Sequence, residues 1–171
     1  IFWGDRRRGF LQSNSQWLPG FSPLGRTIAD FDGDGHLDIF SPQHSGELTR
    51  EDLACHIYWG SAGGFHTRRR STLICDSVND SLAGDFNGDG LIDLAVACHT
   101  QHGNHRVFSR VFYNDGHRFR NPRMTRLPTN GTHLMWALDI GNVMDRSYRE
   151  TFESRVLGWA GLGYTVALVG M

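Results

Sequence analysis

Residues 29–40 read ADFDGDGHLDIF and carry aspartates at 30, 32, 34 and 38. Counting Asp30 as position 1, the carboxylates stand at positions 1, 3, 5 and 9, and residues 83–96, AGDFNGDGLIDLAV, repeat the spacing with Asp85, Asn87, Asp89 and Asp93. Alternate positions of a tight loop can face one centre, and Gly33, Gly35, Gly88 and Gly90 supply the backbone freedom for that wrap. Oxygen-only side chains so placed suit a hard cation. Ca2+ takes about six to eight oxygens in a flexible shell, so the backbone carbonyls of position 7, His36 and Leu91, together with water, are expected to complete the coordination. Mg2+ fits less well, because it retains water and demands a stricter octahedron. Without a cation the clustered carboxylates repel one another across a few ångströms. Two Ca2+ sites are therefore expected.

A helical-hand loop would need a bidentate Glu at position 12, where this chain has Ser41 and Val96. The residues that follow, LDIFS and LIDLAVAC, have strand character and no helical period. The loops thus join strands.

Their recurrence is part of a longer self-similarity. Asp30 and Asp85 are 55 residues apart, and an independent aromatic marker recurs in IFWGDRRRGF (1–10), IYWGSAGGF (57–65) and VFYNDGHRF (111–119) at offsets of 56 and 54. A third acidic loop falls due near residue 140, but after Asp139 the matching positions are Gly141, Val143 and Ser147, so no ion is expected there. Each unit reads as four short strands: one into the loop, one out of it, one at the aromatic marker and one after the next glycines. A four-stranded sheet of about 50 residues cannot bury both faces alone and must stack on neighbours, as propeller blades do. The expected architecture is all-β: a partial β-propeller of about three four-stranded blades, approximate units 1–54, 55–108 and 109–156, with an apolar tail at 157–171. As a closed propeller needs about four to eight blades, this reads as part of a larger, about seven-bladed one, with open edges available for self-association.

Composition agrees with a globular β-protein: 39% hydrophobic, 20% charged, with 21 Gly and 11 Phe. A net charge of −1 creates no global field toward nucleic acid, and the tail is too short and glycine-rich to insert in a membrane. The Arg6–Arg8 and Arg68–Arg70 runs read as solvated surface. Cys55, Cys75 and Cys98 form an odd set without a CxxC, so neither a zinc ribbon nor a complete disulfide framework is indicated.

On the strength of ADFDGDGHLDIF, GDFNGDGLIDLAVA and the marker IYWGSAGGF, the chain to about residue 156 resembles the FG-GAP or VCBS repeat family. The resemblance implies a propeller whose loop between the first and second strands of a blade holds calcium. It also implies an extracellular, cell-surface or periplasmic setting.

Chemistry beyond the ion is sparse in the sequence. His99, His102 and His105 in CHTQHGNHR match no established ligand spacing and read as a polar loop. The aromatic markers Trp3, Tyr58, Trp59, Phe112 and Tyr113 read as core because they recur with the unit. A binding or scaffold module for a protein or polysaccharide ligand is the favoured reading. The alternative is the propeller portion of a calcium-dependent polysaccharide lyase or hydrolase, for which the acidic residues outside the loops offer no convincing pair.

Overall fold

Two neighbouring strands can share a register over and over if the sequence repeats, and the hydrogen-bond pairing here does so. A computed structural model describes residues 1–20, 24–44, 53–139 and 165–170. Among these residues the chain is all-β, with no helix. The strands are β1 (Phe2–Asp5), β2 (Gly9–Ser15), β3 (Thr27–Ala29), β4 (Asp38–Ser41), β5 (Leu53–Tyr58), β6 (Arg70–Cys75), β7 (Val78–Gly84), β8 (Asp93–Cys98), β9 (Arg106–Tyr113), β10 (Arg123–Asn130), β11 (Leu134–Asp139) and β12 (Thr165–Gly170).

β3 to β6 form one four-stranded antiparallel sheet and β7 to β10 a second, each in sequence order. β1 and β2 make a separate antiparallel hairpin, whereas β11 pairs in parallel with β12. The pairs Ala29↔Asp38 and Ile39↔Tyr58 of the first sheet reappear as Gly84↔Asp93 and Leu94↔Phe112 in the second, 54 or 55 residues on. One register serves both sheets.

Strand alternation then decides the packing. All six residues of β8 are buried, with Leu94, Val96 and Cys98 joining Phe40, Ile57, Trp59 and Leu73 of the first sheet in one core. Ala95 and Ala97 point the other way and pack with Val111 and with Met135 of β11. The second sheet is thus covered on both faces, which its size requires. Polar ties between successive first strands sit one unit apart: Thr27 Oγ1 meets Ser81 Oγ at 2.6 Å, and the Met135 N–H donates to Asp80 Oδ2 at 2.9 Å.

The aromatic markers divide. Tyr58, Trp59 and Phe112 are buried, and Tyr113 is half-buried. Trp3, expected in the core, is 38% exposed and stacks on Phe65 with ring centroids 6.0 Å apart. Its hairpin has only two strands, and Phe2, Phe10 and Trp17 beside it are exposed as well.

Inside the shared core lies a charged pair: Asp76 bonds the Arg110 guanidinium, which also donates to Cys98 Sγ at 3.4 Å. Gln101 Nε2 donates to the other Asp76 oxygen at 3.0 Å, so the buried carboxylate is satisfied on both sides. Cys55, Cys75 and Cys98 are free and fully buried. Burial pushes the Cys98 thiol up to about 12, and the Cys75 thiol is raised by its hydrogen bond with Cys55 and by burial. Such thiols are inert as nucleophiles. Iodoacetamide at pH 8 is expected to leave all three unmodified in the native protein and to alkylate all three in guanidinium chloride, as read by intact mass; rapid native labelling would contradict this packing.

Candidate metal centre

The two acidic loops connect β3 to β4 and β7 to β8, and each is folded by its own carboxylates. In the first, Asp30 accepts from the Asp34 N–H through Oδ1 at 3.1 Å and from the Gly35 N–H through Oδ2 at 2.9 Å. Asp85 does the same for the Asp89 and Gly90 amides at 3.2 and 2.9 Å. Position 5 caps position 7 in both copies, with His36 donating to Asp34 and Leu91 to Asp89, each at 2.9 Å. Gly33, Gly35, Gly88 and Gly90 have φ of 70°, 85°, 76° and 85°, the left-handed region that the wrap demands.

The ninth-position aspartate holds the loop to the rest of its sheet. Asp38 is fully buried; its Oδ2 accepts from the Phe31 N–H at 2.9 Å and its Oδ1 from the Gly60 N–H, at the end of β5, at 2.7 Å. Asp93 accepts in the same way from Phe86 at 3.0 Å and from Asn114 at 2.8 Å. Burial pushes the Asp38 carboxyl up to about 6, with the Asp32 and Asp34 charges adding to the rise and the Gly60 and Phe31 amides opposing it. Asp93 is raised for the same reasons, burial first. Asp85, exposed and wrapped by amides with Gly90 foremost, is held below the usual carboxylate range.

One carboxylate oxygen from each of Asp30, Asp32 and Asp38 lies within 4.8 Å of the other two. Ca–O distances of about 2.3–2.6 Å put ligands on opposite sides of one ion roughly 4.6–5.2 Å apart, so this spread fits a single Ca2+. Each oxygen that accepts one amide keeps a second lone pair for a cation. The second loop gathers no such trio of acidic groups, because Asn87 replaces Asp32; its Nδ2 donates to Asp89 Oδ2 at 2.9 Å. Its frame of hydrogen bonds is nevertheless the same. Asp139 closes β11, and the positions 141, 143 and 147 where the third loop was expected to be lost lie outside the described residues.

Sequence reasoning missed the partner of Asp32. Arg118 reaches from the turn after β9, 86 residues away, and its Nε and an Nη each lie 2.8 Å from Asp32 Oδ2. Arg118 and Phe119 both adopt positive φ, 62° and 54°, a conformation costing roughly 1 kcal/mol each for residues with a Cβ. Asp115 supports it by accepting from the His117, Phe119 and Asn121 amides at 2.9, 3.1 and 3.0 Å. The turn gains an edge-to-face contact of Phe119 on Phe31 and a guanidinium 5.2 Å above Trp59. Asn114 completes the junction, its Nδ2 donating to the carbonyls of Phe31 at 2.7 Å and Ile92 at 3.0 Å. The Asp-Gly pair at 115–116 signals a turn, but nothing local signals its target.

The chain matches no protein-family model, no curated protein and no solved structure.

A Cβ at residue 60 would overlap the Leu37 backbone carbonyl, whereas at Gly63 the nearest atom stands 3.9 Å away. Gly60→Ala is therefore expected to destabilise the fold by more than about 2 kcal/mol, and Gly63→Ala by less than about 0.5. Urea unfolding of the two variants compares them directly; equal midpoints would show that β5 does not press on the acidic loop.

Proposed function

We propose that this chain is a calcium-binding repeat module of the FG-GAP or VCBS type, part of an extracellular β-propeller that serves as a binding or scaffold domain. The observation that carries the reading is the pair of acidic loops, one unit apart, built on the same hydrogen-bond frame with side-chain oxygens at matching positions. The register shared by two stacked four-stranded sheets supports blades, and the double-faced burial of β8 supports stacking of more than two units. The first site would be held by Asp30, Asp32, Asp34 and Asp38 with the His36 carbonyl. The second would use Asp85, Asn87, Asp89 and Asp93 with the Leu91 carbonyl. The ion supplies no reaction in this role; it neutralises the loop and fixes its shape. Protein or polysaccharide ligands then meet loops at the rim of the sheets, and the open edges offer a route to self-association.

The acidic residues outside the loops have structural partners where they are described. Asp76 pairs with Arg110, Asp80 accepts from Met135, and Asp115 folds its own turn. Glu47, Glu51, Asp52, Asp145, Glu150 and Glu153 lie outside the described residues.

Titration calorimetry with CaCl2 is expected to show two sites, one of them lost in Asp85→Ala. At Ca2+ about a hundredfold above Kd each site stabilises the fold by about 2.7 kcal/mol. The Asp38 contribution to the pH dependence has a definite sign. Because burial raises the folded-state pKa of Asp38 to about 6, above its ordinary value of 3.8, its ionisation opposes folding as pH rises through that range. Ca2+ needs the ionised carboxylate, so the rise in melting temperature that excess Ca2+ gives the chelated, desalted protein should be larger at pH 7.5 than at pH 5.5. Comparing that rise at each pH cancels the opposite contribution of His99, whose lowered pKa favours folding as pH increases. No heat of Ca2+ uptake, together with melting indifferent to a chelator, would overturn the reading. Calcium-dependent release of oligosaccharides in a glycan screen would move the module to the lyase or hydrolase class.

A further inference from the structure

At the end of the sheets opposite the acidic loops, four histidines from three connections come together around one ring. His99 follows β8, His105 precedes β9, His133 lies between β10 and β11, and His44 follows β4. The His99 ring centroid is 4.6 Å from that of His133, 4.7 Å from His105 and 6.0 Å from His44. We propose that His99, His105 and His133, with His44 on the fourth side, form a binding site for a late first-row divalent metal ion of the zinc class.

The spacing is what shared coordination requires. With Zn–N at about 2.0–2.1 Å, two imidazoles on adjacent positions of one ion have centroids roughly 4.5–5.3 Å apart. His133 and His105 already stand at that distance from His99, and His44 needs a shift of about 1 Å. As placed, the rings meet edge to face and their nitrogens do not share a centre, so rotation of the exposed His105 and His133 rings completes the site. Imidazole donors of this kind select Zn2+, Ni2+ or Cu2+ over Ca2+, which keeps this site chemically separate from the acidic loops.

The backbone at or beside three of the four rings is tied down. The His99 N–H donates to Ser77 O at 2.9 Å, the Gly131 N–H donates to His105 O at 2.8 Å, and the Val78 N–H donates to the carbonyl of Gln43, beside His44, at 3.0 Å. Burial, reinforced by the neighbouring His133, His105 and His44, lowers the His99 pKa to about 4. A second layer is present too. Asn79 Nδ2 lies 3.2 Å from His133 Nδ1, and Asn79 Oδ1 is buried without a hydrogen-bond partner among the described residues. Turning that amide over lets Oδ1 accept from Nδ1–H, which fixes the tautomer and the setting of the His133 ring.

The test uses untagged protein with its acidic loops saturated with Ca2+. ZnCl2 titrated at pH 7.5 should bind at one equivalent per chain, and Co2+ should give the visible bands of an imidazole-ligated ion. His99→Ala and the double variant His105→Gln/His133→Gln should each weaken Zn2+ binding at least tenfold. The second carries only exposed positions and so guards against loss of fold in the first, which circular dichroism monitors. Histidine 15N NMR should show Zn2+ shifting His44, His99, His105 and His133 while His36, His66 and His117 stay in place. Unchanged uptake in folded variants, or shifts confined to the other histidines, would overturn the site. Because Ca2+ is titrated separately, either reading can fail without the other.

Discussion

A carboxylate that accepts one amide from its own loop and another from the turn just beyond the neighbouring strand is the joint on which this structure turns. Asp38 and Asp93 are both fully buried and both serve in this way. The arrangement closes the loop, fixes where the third strand ends, and sets the height at which the other acidic side chains stand. It also carries an electrostatic penalty, since a buried anion beside further anions is unfavourable unless amides or cations surround it. Amides answer part of that demand. The Arg118 guanidinium answers more of it, reaching Asp32 from 86 residues away through a turn held in a strained backbone conformation.

Those features that depend on neighbours in the chain were legible in the sequence. The aspartate spacing, the glycines that permit the wrap and the alternating strands on either side are all local, and the 55-residue separation of Asp30 and Asp85 is the same offset that relates the matching registers. Contacts between units were not legible in the same way. Arg118 looks like one of many surface arginines until the 115–121 turn is seen against the first acidic loop. His99 and His105 were visible as a spaced set, yet the rings that give them company, His44 and His133, come from separate connections. Periodicity also overstated uniformity: Trp3 shares the marker of Trp59 and Phe112 but sits on a two-stranded hairpin that cannot enclose it.

The two ends of the sheets differ in chemistry as a result of topology. In the two four-stranded sheets the connections from first to second strand fall at one end, where oxygen donors gather, and those from second to third strand and from β10 to β11 fall at the other, where imidazoles gather. Between them lies an apolar core interrupted by the Asp76–Arg110 pair, whose ligands are all supplied from within the protein. A pair so satisfied adds little net stability over an apolar replacement. Its partner Gln101 belongs to the turn that leads from His99 to His105, so the core charge also orders the connection that carries two of the clustered rings.

Strands that are bonded neighbours in each four-stranded sheet are also consecutive in the chain. Closing any one sheet therefore needs only connections between consecutive strands, and the entropy of bringing distant segments together is deferred until sheets dock. A chain of this design can acquire structure in the direction in which it is synthesised, each sheet completing itself as it emerges and offering a finished face to the one that follows. What cannot be finished early is β8's second face, which stays bare until β11 has left the ribosome.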